Sequence, residues 1–103
     1  MVEVKWTLQA TNDLESIANF IAKDSFHYSR LFVVDIFESV DRLINFPNSG
    51  RIVPELNDST VRELILGNYR LVYRFKKDIV ELLTIYHGAR LLNPSRLIKK
   101  SKD

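Results

Sequence analysis

Val61-Arg62-Glu63-Leu64-Ile65-Leu66-Gly67-Asn68-Tyr69-Arg70-Leu71-Val72-Tyr73-Arg74-Phe75-Lys76-Lys77-Asp78, continued by the apolar run from Ile79 to Tyr86, decides the fold. Val61 to Leu66 alternates with the period of two that marks a strand. Gly67-Asn68 is a pair suited to a tight hairpin turn. In the next stretch Tyr69, Leu71, Tyr73 and Phe75 alternate with Arg70, Val72 and Arg74, so the aromatic residues and the two arginines are expected on opposite faces. Lys76-Lys77-Asp78 supplies a second turn. Ile79 to Tyr86 is the most apolar strand of the chain, which places it inside a sheet or under a layer on each side.

Working outward, Val2, Val4 and Trp6 alternate with Glu3 and Lys5 as a short first strand. Leu14, Ile17, Ala18 and Ile21 then follow helical spacing, predicting a helix from about Thr7 or Thr11 to Lys23. Ser25 is placed to cap a second, longer helix with the stripe Val33, Ile36, Phe37, Val40, Leu43 and Ile44, ending before Pro47. So few residues join the two helices that they should form a hairpin, whose apolar face needs a sheet to cover it. Ile52 to Thr60, with Pro54, Asn57 and Asp58, reads as a loop. The expected class is α+β, a helix hairpin on a small, mostly antiparallel sheet in the order β-α-α-β-β-β.

A chain of 103 residues accommodates one domain, 1–103, with a flexible basic tail expected from about residue 95. The absence of cysteine excludes a disulfide framework, a thiolate metal site and a cysteine nucleophile. No apolar run approaches the roughly 20 residues that span a bilayer, and Met1-Val2-Glu3-Val4-Lys5-Trp6 lacks the pattern of a secretory signal. A cytoplasmic protein without membrane contact is therefore expected. Charge is split, with a net −3 in residues 1–50 and +5 in residues 51–103. An anionic partner is expected on the basic half.

Candidate chemistry gathers there. Arg70 and Arg74 share one face of a strand, and guanidinium groups offer planar paired donors to a phosphate. His87 ends the apolar strand and precedes Gly88, Arg90 lies three residues on, and Glu55 follows the rigid Pro54. One carboxylate, one imidazole and several guanidinium groups could cleave a phosphodiester without a metal. His27 and His87 show no ligand spacing, so neither metal nor cofactor is expected.

Trp6, the Asp13-Leu14…Ile17 helix, Phe46-Pro47-x-x-Gly50-Arg51-x-Val53-Pro54-Glu55, Arg62-Glu63-Leu64-Ile65, Gly67-Asn68-Tyr69-Arg70-Leu71-Val72-Tyr73-Arg74 and His87-Gly88-Ala89-Arg90 form an ordered set. Over nearly the whole chain this set resembles the RelE/ParE superfamily, toxins of type II toxin–antitoxin systems. The resemblance implies the helix-hairpin-on-sheet fold and a cognate antitoxin. RelE-like and YoeB-like members cut mRNA on the ribosome. By that likeness Arg70 and Arg90 would hold the scissile phosphate and Glu55 or His87 would exchange protons; on charge, Arg62, Arg74, Lys76 and Lys77 are expected to contact the RNA backbone. This ribosome-dependent mRNA endonuclease is the first expectation. The Phe-Pro-x-x-Gly-Arg loop and His-Gly-Ala-Arg ending also occur among ParE-like proteins, which implies the alternative of a non-enzymatic inhibitor of DNA gyrase.

Overall fold

The computed structural model describes residues 2–88; Arg90 and the tail from about residue 95 lie outside the described residues. The elements are β1 (Glu3–Trp6), α1 (Leu8–Ala22), α2 (Phe26–Asn45), β2 (Arg51–Ile52), β3 (Val61–Leu66), β4 (Tyr69–Lys76) and β5 (Ile79–His87). They form the α+β arrangement expected, with a five-stranded sheet in the order β1-β5-β4-β3-β2. β1 runs parallel to β5, and the other pairs are antiparallel.

Each helix starts on a hydroxyl cap. The Thr7 side chain accepts from Ala10 N–H at 3.1 Å and donates to the Leu82 carbonyl at 2.7 Å, tying the start of α1 to β5. Ser25 accepts from Tyr28 N–H at 3.1 Å, satisfying one of the open donors of the first turn of α2. The buried Ser29 hydroxyl donates to the Ala18 carbonyl at 2.6 Å, across the turn that folds the helices into a hairpin. Ile36, Val40 and Leu43 of α2 are buried with Leu71, Tyr73, Val80, Leu82 and Ile85 of the sheet. Phe37 and Ile44, read as part of the same stripe, remain 48% and 39% exposed. They lie at its flank, where Phe37 turns toward Trp6 with the ring centres 5.6 Å apart.

The far side of the sheet carries a second cluster, Val53, Val61, Val72, Leu83 and Tyr86, with Leu56 packed against it. β5 is therefore covered by helices on one face and by the chain around residues 53–56 on the other, which accounts for its continuous apolar sequence. A bulge helps it serve both faces. Val72 pairs with Thr84 while Tyr73 pairs with Leu82, so Leu83 is extra.

β1 reaches only as far as Trp6 opposite Leu82, leaving the edge of β5 open beyond it. Asp13 of α1 fills that gap, accepting from the Thr84 hydroxyl, from Ile85 N–H at 3.1 Å and from the Gln9 amide at 2.6 Å. The loop expected from Ile52 onward is corrected at its start. Arg51 and Ile52 pair with Glu63 and Arg62 as a strand too short to show a period.

Candidate functional site

Glu63 of β3 lies on the sheet face away from the helices. Register explains its company, because directly opposed residues share a face. Arg51 lies opposite Glu63, Arg70 opposite Tyr86, and Arg74 opposite Glu81. The Glu63 side chain is fully buried. Its Oε2 accepts from Arg51 Nε and pairs with Arg51 Nη2, each at 2.6 Å, while half of the Arg51 side chain stays in solvent. Oε1 of Glu63 lies 3.5 Å from Arg70 Nη1 and has no hydrogen bond.

Arg70 is held from three sides. Its Nη1 lies 3.5 Å from Glu55 Oε2 and donates to Tyr86 Oη at 3.3 Å, and its guanidinium carbon stands 5.8 Å from the centre of the Tyr86 ring. The Tyr86 hydrogen bond and the two carboxylates raise the Arg70 pKa above its ordinary value, against the opposing effect of desolvation. Burial pushes the Tyr86 phenol up, and the Arg70 hydrogen bond partly offsets this. Arg51, Arg70, Glu55 and Glu63 together carry no net charge. A transition state that gathers negative charge needs an uncompensated cation beside it.

The structure brings Glu55 and Arg70 together, while the His87 side chain leaves β5 on the other face. His87 is opposite Tyr69, on the helix side, and meets that ring edge-on at 5.4 Å. Tyr69 in turn packs on Phe32 at 5.0 Å. Neighbouring residues of a strand point to opposite faces, so Arg70 and His87 leave the sheet on opposite sides, although both border a groove at the Gly67-Asn68 end of the hairpin. Arg90 lies outside the described residues.

The remaining expected cations divide as well. Arg62 is opposite Tyr73 on the helix side and donates to the Gly50 carbonyl at 2.8 Å and the Asn48 carbonyl at 3.3 Å. Arg74 shares the Arg70 face and lies 3.6 Å from Asp58 and 3.7 Å from Glu81. Lys76 ends β4, and Lys77 and Asp78 form the turn with φ of 52° and 61°. The charge split also resolves by segment. Residues 2–88 hold ten Lys/Arg and twelve Asp/Glu, whereas residues 89–103 hold five and one. Of the +5 excess of the second half, +4 therefore resides in the last fifteen residues, and the sheet face is close to balanced.

Residues of the Phe46-to-Arg51 segment, which carries part of the family resemblance, hold the fold. The Tyr73 hydroxyl donates to the Pro47 carbonyl at 2.7 Å and accepts from Gly50 N–H at 2.9 Å. Glu63, to which no role was assigned from the sequence, is the residue that organises the cluster. Its signal was a carboxylate between Val61 and Ile65 in strand alternation, a position that buries a charge and so demands cations.

Asp58 provides a pH test of the same face. It accepts from the Thr60 hydroxyl at 2.6 Å and from Thr60 N–H at 2.9 Å. These two bonds, the hydroxyl foremost, hold its carboxyl below the ordinary value, with Arg74 assisting. A depressed pKa contributes stability above the unfolded value of about 3.9 and loses it as pH falls through the folded value. Asp58→Asn is expected to lower the melting temperature slightly at pH 7, and the gap should close below about pH 4. A gap that persists unchanged to pH 2.5 would contradict this linkage.

Residues 4–92 match the family described as "ParE toxin of type II toxin-antitoxin system, parDE". A protein of Sinorhizobium fredii (strain NBRC 101917 / NGR234) named "Putative toxin Y4kP" is 40% identical over 87 residues, covering 82% of this chain and 86% of that protein. A solved structure described as "Chromosomal ParDE TA system from P. aeruginosa" is 28% identical, with a TM-score of 0.69 over 84% of this chain and 96% of its own.

Proposed function

This chain belongs to the ParE toxin family of type II toxin–antitoxin systems, and on that footing we propose that it arrests growth by binding and inhibiting DNA gyrase. The observation that carries the reading is the Arg70 cluster. The arginine expected to stabilise a cleaving phosphate sits within 3.5 Å of two carboxylates, and the expected proton donor, His87, projects from the other face of β5 and meets Arg70 only along the rim of a shared groove. That arrangement favours gyrase inhibition over the endonuclease of the first expectation.

A cognate antitoxin is the second partner of this reading. The helix hairpin supports its docking there, because Phe20 of α1 is 65% exposed while Leu31 and Val34 of α2 are about half exposed. An apolar surface of this kind suits the amphipathic segment of a partner that folds on binding.

Pulse labelling after induction tests the proposal. Thymidine incorporation should fall first while methionine incorporation continues, and the purified toxin should block supercoiling by gyrase. Early collapse of translation, with mRNA cut on purified ribosomes, would reinstate the nuclease.

A further inference from the structure

Two carboxylates meet Arg70, and they are not equivalent. Glu63 is fully enclosed and also bound by Arg51. Glu55 lies in the loop after Pro54, leaves 28% of its side chain in solvent, and touches Arg70 by one ion pair at 3.5 Å. Arg70 is itself 22% exposed. It lines a groove of about 290 Å³ with Ile65, Gly67, Asn68, Tyr69, His87 and Gly88. A Cβ on Gly88 would meet the Asn68 carbonyl at 3.2 Å and Arg70 Nε at 3.6 Å, so the bare glycine leaves room beside the guanidinium among the described residues.

We infer that Arg70 is a carboxylate-exchange site: Glu63 is its permanent counter-charge, Glu55 a removable internal ligand, and an acidic side chain of a protein partner takes the place of Glu55. The exchange needs only rotation of an exposed loop side chain, since Val53 and Leu56 keep the loop packed. It also leaves the cluster neutral. A phosphate dianion would instead approach the Glu63 Oε1, which has no hydrogen bond, and would meet repulsion that a single carboxylate halves. An acidic peptide is therefore the favoured class, and phosphate is disfavoured. The inference deepens the gyrase reading by giving its protein contact a chemistry, but the site can be tested without gyrase.

The test follows the Arg70 Nε–H resonance of the full chain during titration with a tetraglutamate peptide. Wild type should bind weakly, with affinity falling as salt rises. Glu55→Gln removes the internal competitor and should tighten binding about two- to five-fold, the fold-change equivalent to an exposed ion pair. Asp58→Asn removes a charge that pairs with Arg74 and not with Arg70, and should tighten binding less than Glu55→Gln does. An Arg70 resonance unmoved by peptide, equal tightening by Asp58→Asn, or inorganic phosphate binding more tightly than peptide overturns the inference. Glu55→Gln should also lower the toxin concentration that half-inhibits gyrase. If the titration succeeds and no form of the protein inhibits gyrase, the site stands and the gyrase reading falls.

Discussion

Arg51→Leu is expected to destabilise the protein by about 3 kcal/mol, the low end for breaking a buried ion pair because half of Arg51 is solvated. The argument turns on what each partner does when the other is removed. Without Arg51, Glu63 stays fully buried with only Arg70 near, at 3.5 Å, and one oxygen already lacks a hydrogen bond. Without Glu63, Arg51 can extend into water, and Arg70 keeps Glu55 and Tyr86. Glu63→Met should therefore change stability by less than about 1 kcal/mol, because the cost of burying the carboxylate disappears with it. The double variant should recover most of the stability lost in Arg51→Leu. Urea denaturation of the four proteins reads this directly. A single loss at Arg51 below about 1 kcal/mol, or a double variant no better than Arg51→Leu, would show that the pair is not what secures β2.

That asymmetry bears on what the sequence could reveal. Alternation in β4 correctly separates Arg70 and Arg74 from the aromatic residues, and the apolar character of β5 correctly places it between two layers. Both are local patterns with a fixed period. The candidate site depends on register, which no single strand carries. Arg70 faces Tyr86 and not His87 because Tyr69 is opposite His87, and that follows from where the Lys77-Asp78 turn closes and where the bulge at Val72 and Tyr73 falls. Charge was misleading for a related reason. Summing over half the chain assigned to the sheet a basic excess held mostly by residues 89–103, and it could not show that Arg51, Arg70 and Arg74 each have a carboxylate within 4 Å. The motif Phe46-Pro47-x-x-Gly50-Arg51 was legible as a family mark, but its physical purpose lies in a contact with residues more than ten positions away.

Gly50→Ala tests that purpose, and should cost about 3 kcal/mol or more. An added Cβ would lie 2.7 Å from the Glu63 carbonyl, 2.7 Å from the Tyr73 hydroxyl and 2.8 Å from a Tyr73 ring carbon. None of these can yield easily, since the carbonyl belongs to β3 and Tyr73 is fully buried. Overpacking alone costs about 1–3 kcal/mol. Moving Tyr73 would also break its bonds to Pro47 and Gly50, leaving buried polar groups unpaired at about 1–3 kcal/mol more. Tyr73→Phe alone should cost about 1–2 kcal/mol for the same bonds. Because both changes damage one contact, the double variant Gly50→Ala/Tyr73→Phe should lose less than the sum of the two. Hydrogen exchange at Gly50 N–H, which is shielded by the Tyr73 hydroxyl, should accelerate in every variant. Additive losses, or a Gly50→Ala protein within 1 kcal/mol of wild type, would mean that the loop can move away from the sheet, and that Gly50 is not what brings Arg51 to Glu63.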